Sequence, residues 1–388
     1  MAGLETLSQL VAKGVLQCKS ASIRDQPAFA FRGLLVDTAR RFVPLAVLEA
    51  LIDAMAYSKM NVLRLHLSDY GAVRYAGSMP ALTAGLEGGE YTAANLTALV
   101  AYAHARGVRV VPSIEVPDHA SGFAPLGADK VQFCAGDSPR LDASAATLAT
   151  LHAYIADLAA VFKDELVDLG GDLNGTAAVG QCWPNTTQLV QAAAVAAAHN
   201  VSKMAGVTAT DADAPADADL VFAPLALLAN LTTQGVMVVV AGPNAYLDAN
   251  NTLNLNSDYA SAATPRNFTA GTAPLYFDLL TGLSPAQQDH VLGASASFWT
   301  DMYCKTNECG AWDNGQRPSA FWMHPLYNNH YLAESLVRAI FPRVAALVRT
   351  RPKKKKKKKK KEREREREIK REKKKKERKR KKKIILAY

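Results

Sequence analysis

Apolar residues change their spacing repeatedly along this chain. Short continuous runs alternate with stretches in which they recur every three or four positions. The runs fall at residues 34–37, 61–67, 108–116, 167–172, 204–208, 220–224, 236–241 and 291–298, and predict buried strands. Helical periods lie between them. Pro44 stands at a first-turn position before Leu45, Leu48, Leu51, Ile52 and Met55, which share one face. Thr92 is placed to cap a helix carrying Leu96, Leu99, Val100 and Ala103. Residues 145–162, 187–198 and 329–348 keep the same period. Residues 3–11 predict an amphipathic helix with Leu4, Leu7 and Leu10 or Val11 on one face.

Eight strands with helices between them predict an α/β fold closed into a (β/α)8 TIM barrel. An open doubly wound sheet is the alternative. It wants a glycine-rich phosphate turn after its first strand, and Asp37-Thr38-Ala39-Arg40 is not one.

Charge divides the chain. The formal net charge is +10, but residues 353–383 hold 24 of the 46 Lys+Arg and 6 of the 36 Asp+Glu, so that segment carries +18 and the remainder −8. The globular part therefore has no nucleic-acid footprint of its own. The segment cannot bury a core and reads as solvated helix or disorder. Such a tail can bind acidic lipid or nucleic acid; the favoured reading is a purine-rich repeat translated past the true end.

Of the five cysteines, Cys304 with Cys309 and Cys134 with Cys182 can close loops, leaving Cys18 odd, and none has the spacing of a zinc site. Sequons begin at Asn95, Asn174, Asn185, Asn200, Asn230, Asn250 and Asn267, seven where chance gives about two. That excess points to a glycosylated, oxidising compartment. Residues 1–16 contain Glu5 and Lys13 in a broken apolar pattern, so they are not a signal peptide, and no run reaches the length of a membrane span.

Polar residues gather where the predicted strands end. Arg32 precedes the first strand; His66 and Asp69 end the second; Glu115, Asp118 and His119 end the third; Asp172 ends the fourth. Tyr246 and Asp248 follow the seventh, Trp299 and Asp301 the eighth. In a parallel barrel these ends converge on one face. Acids, an arginine, a tyrosine and a tryptophan in one mouth suit a sugar, with the aromatic face on the ring and the acids on hydroxyls. Glu115 and His119 lie around Pro117 rather than on a helix, so no metal site is expected and no cofactor is implied.

These segments resemble the β-N-acetylhexosaminidases of glycoside hydrolase family 20. The similar residues are Arg32-Gly-Leu-Leu-Val-Asp-Thr-Ala-Arg-Arg-Phe, Lys59-Met-Asn-Val-Leu-Arg-Leu-His-Leu-Ser-Asp69, Val111-Pro-Ser-Ile-Glu-Val-Pro-Asp-His119 and Leu169-Gly-Gly-Asp172. Cys182-Trp183, Ala245-Tyr-Leu-Asp248, Trp299-Thr-Asp301 and Phe341-Pro-Arg-Val-Ala-Ala-Leu follow in the family's order. The resemblance implies residues 1–31 as a remnant of a preceding small α/β domain, 32–350 as the catalytic-type barrel and 351–388 as the tail. It also implies a lysosomal, vacuolar or secreted protein whose export signal is missing from the chain.

Family members use the substrate's own 2-acetamido oxygen as nucleophile. The resemblance assigns orientation of that group to Asp172 and hydrogen bonding of its oxygen to Tyr246. It puts sugar hydroxyls on Arg32, with Asp301 in a position usually held by glutamate, stacking on Trp299, support of the acid on Asp69 and His119, and Asp248 among the substrate-binding residues. A disulfide is implied between Cys134 and Cys182. The acid itself would stand at Leu173, which has no proton to give. The expected function is thus a β-N-acetylhexosaminidase homologue with weakened proton transfer, or a barrel that binds amino sugar without turnover. Expected partners are N-acetylglucosamine- or N-acetylgalactosamine-terminated glycans, with no nucleic acid, no membrane span, and a homodimer left open as the assembly.

Overall fold

The computed structural model describes residues 2–8, 10–18, 20–86, 88–134, 140–171, 185–209, 217–241 and 279–300. Asp172, Leu173, Cys182, Tyr246, Asp248, Asp301, the helix expected at 329–348 and the basic tail lie outside them.

Eight strands close into a parallel barrel: β1 (Phe31–Asp37), β2 (Val62–His66), β3 (Arg109–Ser113), β4 (Leu166–Asp168), β5 (Met204–Thr208), β6 (Leu220–Ala223), β7 (Val238–Val240) and β8 (Val291–Phe298). Each pairs in parallel with its neighbours in sequence, and β8 returns to β1 with Gly293 opposite Phe31 and Phe298 opposite Val36. Every apolar run read as a strand is one of these.

Helices α1 (Leu45–Tyr57), α2 (Ala93–His104), α3 (Ala145–Val161) and α4 (Asn185–Asn200) lie among the strands in the chain. Thr92 caps α2 by accepting from the Asn95 backbone N–H, and the Asn95 side chain accepts in return from the Thr92 N–H. Ser144 caps α3 in the same sense, accepting from Thr147 N–H. The stripe Leu48, Leu51, Ile52 and Met55 on α1 is fully buried in the outer core, with Leu63 and Leu65 of β2 in the same cluster.

The other face of the strands fills the barrel. Phe31, Val62, Val111, Leu166, Phe222 and Val239 form a second, separate core cluster. Along β2 the inward positions read Val62, Arg64, His66, and along the β3 segment Val111, Ser113, Glu115. The interior therefore grows polar toward the C-terminal ends of the strands, which is where a barrel places its chemistry.

The N-terminal segment departs from expectation. Its helix is Ala2–Ser8, and Val11–Ala12 pairs antiparallel with Val15–Leu16. Lys13 and Gly14 take φ of 52° and 75°, the two left-handed residues of a tight hairpin turn, and this turn ends the helical period early.

Candidate active site

The loops after β1, β2 and β3 and the end of β8 bring four half-buried side chains together at the mouth: Arg40, Tyr70, His119 and Trp299. Arg40 joins them. Its guanidinium lies 5.2 Å from the Trp299 ring centre and 6.0 Å from that of Tyr70, while Tyr70 stacks on His119 at 4.0 Å. Below, Arg40 Nη1 donates to Asp37 Oδ2 at 3.1 Å and Nη2 reaches Asp69 Oδ2 at 2.9 Å.

Asp69 is buried and collects charge from three sides. His66 Nε2 lies 2.8 Å from its Oδ2, and His119 Nδ1 lies 3.2 Å from its Oδ1. Burial would push this carboxyl up, but the Arg40 charge and the bonds from His119 and His66 outweigh it and hold it far below the usual range. Both histidines move the other way. For each, burial pulls down, yet the hydrogen bond and charge of Asp69, with the charge of Glu115, leave the imidazole raised. His66 is fully buried and also meets Ser113 Oγ at 3.0 Å, so it is a bonded interior histidine behind Asp69.

His119 Nδ1 is also 3.2 Å from Arg40 Nη2. A guanidinium only donates, so Nδ1 serves one neighbour at a time. Protonated at Nδ1 it donates to Asp69; unprotonated there it accepts from Arg40.

Asp37 closes the mouth across the first and last strands. Its Oδ2 accepts from the Thr300 backbone N–H and hydroxyl, both at 3.0 Å. Asp118 accepts from Arg140 at 2.9 Å. After β4, Gly170 and Gly171 take φ of 66° and 106°. A Cβ on Gly170 would collide with the Glu115 carboxylate, so glycine there lets Glu115 lie against the turn. Gly171 N–H then donates to Glu115 Oε1 at 2.8 Å, fixing the backbone immediately before Asp172.

Of the residues expected at the site, Asp69, His119 and Trp299 meet at the mouth. Arg32 does not. It is the second residue of β1, at the N-terminal end, where Nε donates to Lys59 O at 2.7 Å and Nη1 to Phe29 O at 2.6 Å. Arg40, missed in the sequence reading, is the arginine that reaches the mouth. The signal was available, because a residue preceding a parallel strand belongs to the opposite end from its loop. Tyr70 was missed as well. Two other acids near the fourth strand, Asp168 and Glu165, are removed from the chemistry: Asp168 is bound inside the barrel to Arg64, and Glu165 is exposed at the strand's N-terminal end. Cys134 is disulfide-bonded, Cys18 is free, and the expected partner Cys182 lies outside the described residues. Among the described residues no cluster of His, Cys, Asp and Glu is arranged to hold a metal ion, and no helix is long and apolar enough to cross a membrane.

Residues 29–212 match the sequence model of glycosyl hydrolase family 20, catalytic domain. Beta-hexosaminidase 3 of Arabidopsis thaliana is 34% identical over 203 residues, 49% of this chain and 36% of that protein. The human beta-hexosaminidase subunit beta is 30% identical over 204 residues, 48% of this chain and 35% of its own length. The chain thus spans about a third of the curated relatives it matches. In structure it is similar to a family 20 exo-β-N-acetylglucosaminidase from Vibrio harveyi in complex with N-acetylglucosamine, with a TM-score of 0.67, 18% identity, and coverage of 90% of this chain and 59% of that one. A family match over residues 29–212, the stretch that holds Arg40, Tyr70 and His119, and a barrel of the same fold agree: that stretch of the chain matches a glycosyl hydrolase family 20 catalytic domain.

Proposed function

We propose that this barrel takes terminal N-acetylglucosamine or N-acetylgalactosamine and hydrolyses it from glycoconjugates with retention, the substrate's 2-acetamido oxygen attacking the anomeric carbon. The observation that carries this reading is the seating of Gly171 on Glu115, which fixes the backbone ahead of Asp172 beside a mouth lined by Arg40, His119 and Trp299. Asp172 orients the acetamido group and Tyr246 bonds its oxygen. Trp299 stacks on the ring, while Asp248, Asp301 and Arg40, in place of Arg32, take hydroxyls. Leu173 brings no carboxyl acid to the position beside Asp172, and loss of general acid catalysis is typically worth 10²–10⁴-fold. Natural glycosides are therefore slow substrates.

Leu173 also favours a second reading, an amino-sugar-binding barrel without turnover. Hydrolysis of 4-nitrophenyl N-acetyl-β-glucosaminide by the full chain and its Leu173→Glu variant separates the two. Turnover by the natural chain, raised in the variant, supports the enzyme. Activity in the variant alone supports the binding barrel, and inactivity of both sinks the site as assigned. The seven sequons and the disulfide at Cys134 support a lysosomal, vacuolar or secreted glycoprotein, checked by a mass shift on N-glycosidase treatment after expression in eukaryotic cells.

A further inference from the structure

We propose that His119 is the proton donor of this site, replacing the carboxyl that Leu173 cannot supply; the inference rests on the hexosaminidase reading above. The described acids around the mouth are otherwise engaged. Asp37 holds Thr300 and Arg40, Asp118 holds Arg140, Glu115 holds the Gly171 N–H, and Asp69 lies between two histidines and Arg40. A carboxylate held that firmly in its charged form has no proton to donate.

His119 has the arrangement a proton donor needs. Its contacts with Asp69 and Arg40 are both made through Nδ1, and Nε2 has no hydrogen-bond partner among the described residues. The ring is 14% exposed, stacked on Tyr70, and carried by a backbone φ of 54°, a left-handed conformation uncommon outside glycine. Asp69 behind Nδ1 stabilises the imidazolium and fixes its orientation, leaving Nε2–H as the group able to face a leaving oxygen. The charged groups facing the ring are Asp69, Glu115 and Arg40; the two carboxylates favour its protonated form and the guanidinium opposes it.

The step balances without a further reactant. As the acetamido oxygen bonds to C1, the C1–O bond breaks, its electron pair stays on the leaving oxygen, and Nε2–H gives that oxygen its proton. The neutral imidazole then takes a proton from the water that adds to C1, the acetamide is restored, and His119 returns to its charged form.

The test uses the full chain with two N-acetyl-β-glucosaminides, one with a 2,4-dinitrophenyl leaving group that needs no proton and one with a phenyl group that does. The natural chain should cleave both. His119→Gln should lose about 10²-fold or more on the phenyl substrate, while the initial burst of dinitrophenolate, which reports the bond-breaking step alone, changes little. His119→Gly, which suits the positive φ, should recover phenyl hydrolysis when imidazole is added. Equal loss of phenyl hydrolysis and of the dinitrophenolate burst without rescue, or no loss of either, overturns the proposal. A natural chain that cleaves the dinitrophenyl substrate and not the phenyl one also overturns it and leaves the hexosaminidase reading standing. Failure on both substrates removes that reading, and this inference with it.

Discussion

Arg64 and Asp168 meet inside the barrel, 104 residues apart in sequence, with Nε and Nη2 of the guanidinium donating to one carboxylate oxygen at 2.9 and 2.6 Å. Both are buried, and the guanidinium also lies 3.6 Å from the centre of the Phe222 ring. The carboxylate's other oxygen accepts from Gly170 N–H at 3.3 Å, so the pair supports the turn that leads to Asp172. Two charges taken out of water this completely are tolerable only together. Asp168→Ala, which strands the cation, should cost about 3–5 kcal/mol in urea unfolding. The double variant Arg64→Met, Asp168→Leu should recover most of that. A single variant as stable as the natural chain would mean the guanidinium finds another anion.

The barrel was legible because each strand is buried on both faces, and continuous apolar runs such as 220–224 have few other uses in a chain of alternating periods. Helix starts were legible where Thr92 could act as a cap. Long-range polar pairing was not. Nothing in the sequence near Arg64 names Asp168, and only the closed barrel brings them together. Arg32 and Arg40 differ in a subtler way: both lie close to an end of β1 and both are arginine, so residue type could not separate them. Position relative to strand direction could, since Arg32 stands at the start of β1 and Arg40 after its end. The N-terminal helix was overextended because Val11 continues its apolar face, while the Lys13-Gly14 turn is a weak signal beside Asn-Gly or Asp-Gly.

Arg40 is expected to matter to sugar binding through geometry more than charge. Its two terminal nitrogens divide between Asp37 and Asp69 while the planar face lies over Trp299, an arrangement that the ammonium of lysine cannot reproduce. Arg40→Lys should fold and yet bind N-acetylglucosamine about 10- to 100-fold more weakly, the equivalent of 1.5–3 kcal/mol for hydrogen bonds to a charged group. Isothermal titration calorimetry measures this directly. Unchanged affinity would place the sugar away from Arg40. Arg32→Lys, at the barrel's other end, should leave affinity as it is.

Gly170 is expected to tolerate no side chain. Alanine there combines a φ of 66° with a Cβ inside the Glu115 carboxylate, so the turn must move or Glu115 must give way. Either outcome breaks the seat of Gly171 on Glu115. Gly170→Ala should cost more than about 1 kcal/mol of stability, the general scale for alanine at a positive-φ glycine. It should also reduce hydrolysis of the aryl glycoside by Leu173→Glu when introduced into that variant. Full stability with full activity would show that Glu115 does not hold the turn.

Stability should fall on both sides of mildly acid pH, and the Asp69 cluster gives each side its sign. His66 and His119 are raised in the folded protein, so they bind protons more tightly there than in the unfolded chain. Their contribution is complete below the unfolded value of about 6.5 and is lost as pH rises through the higher folded values. Asp69 is depressed, so its contribution is present above the unfolded value of about 3.9 and disappears as pH falls toward its folded value. The melting temperature should therefore rise as pH is lowered from 8 toward 6, hold, and drop below about 4. Asp69→Asn removes the charge that raises both imidazoles, although Glu115 still faces them and Asp37 still faces His66. In that variant the rise between pH 8 and 6 should flatten. Differential scanning calorimetry of the two proteins across this range decides the matter: parallel pH curves would mean that other groups set the dependence and that the Asp69 cluster does not.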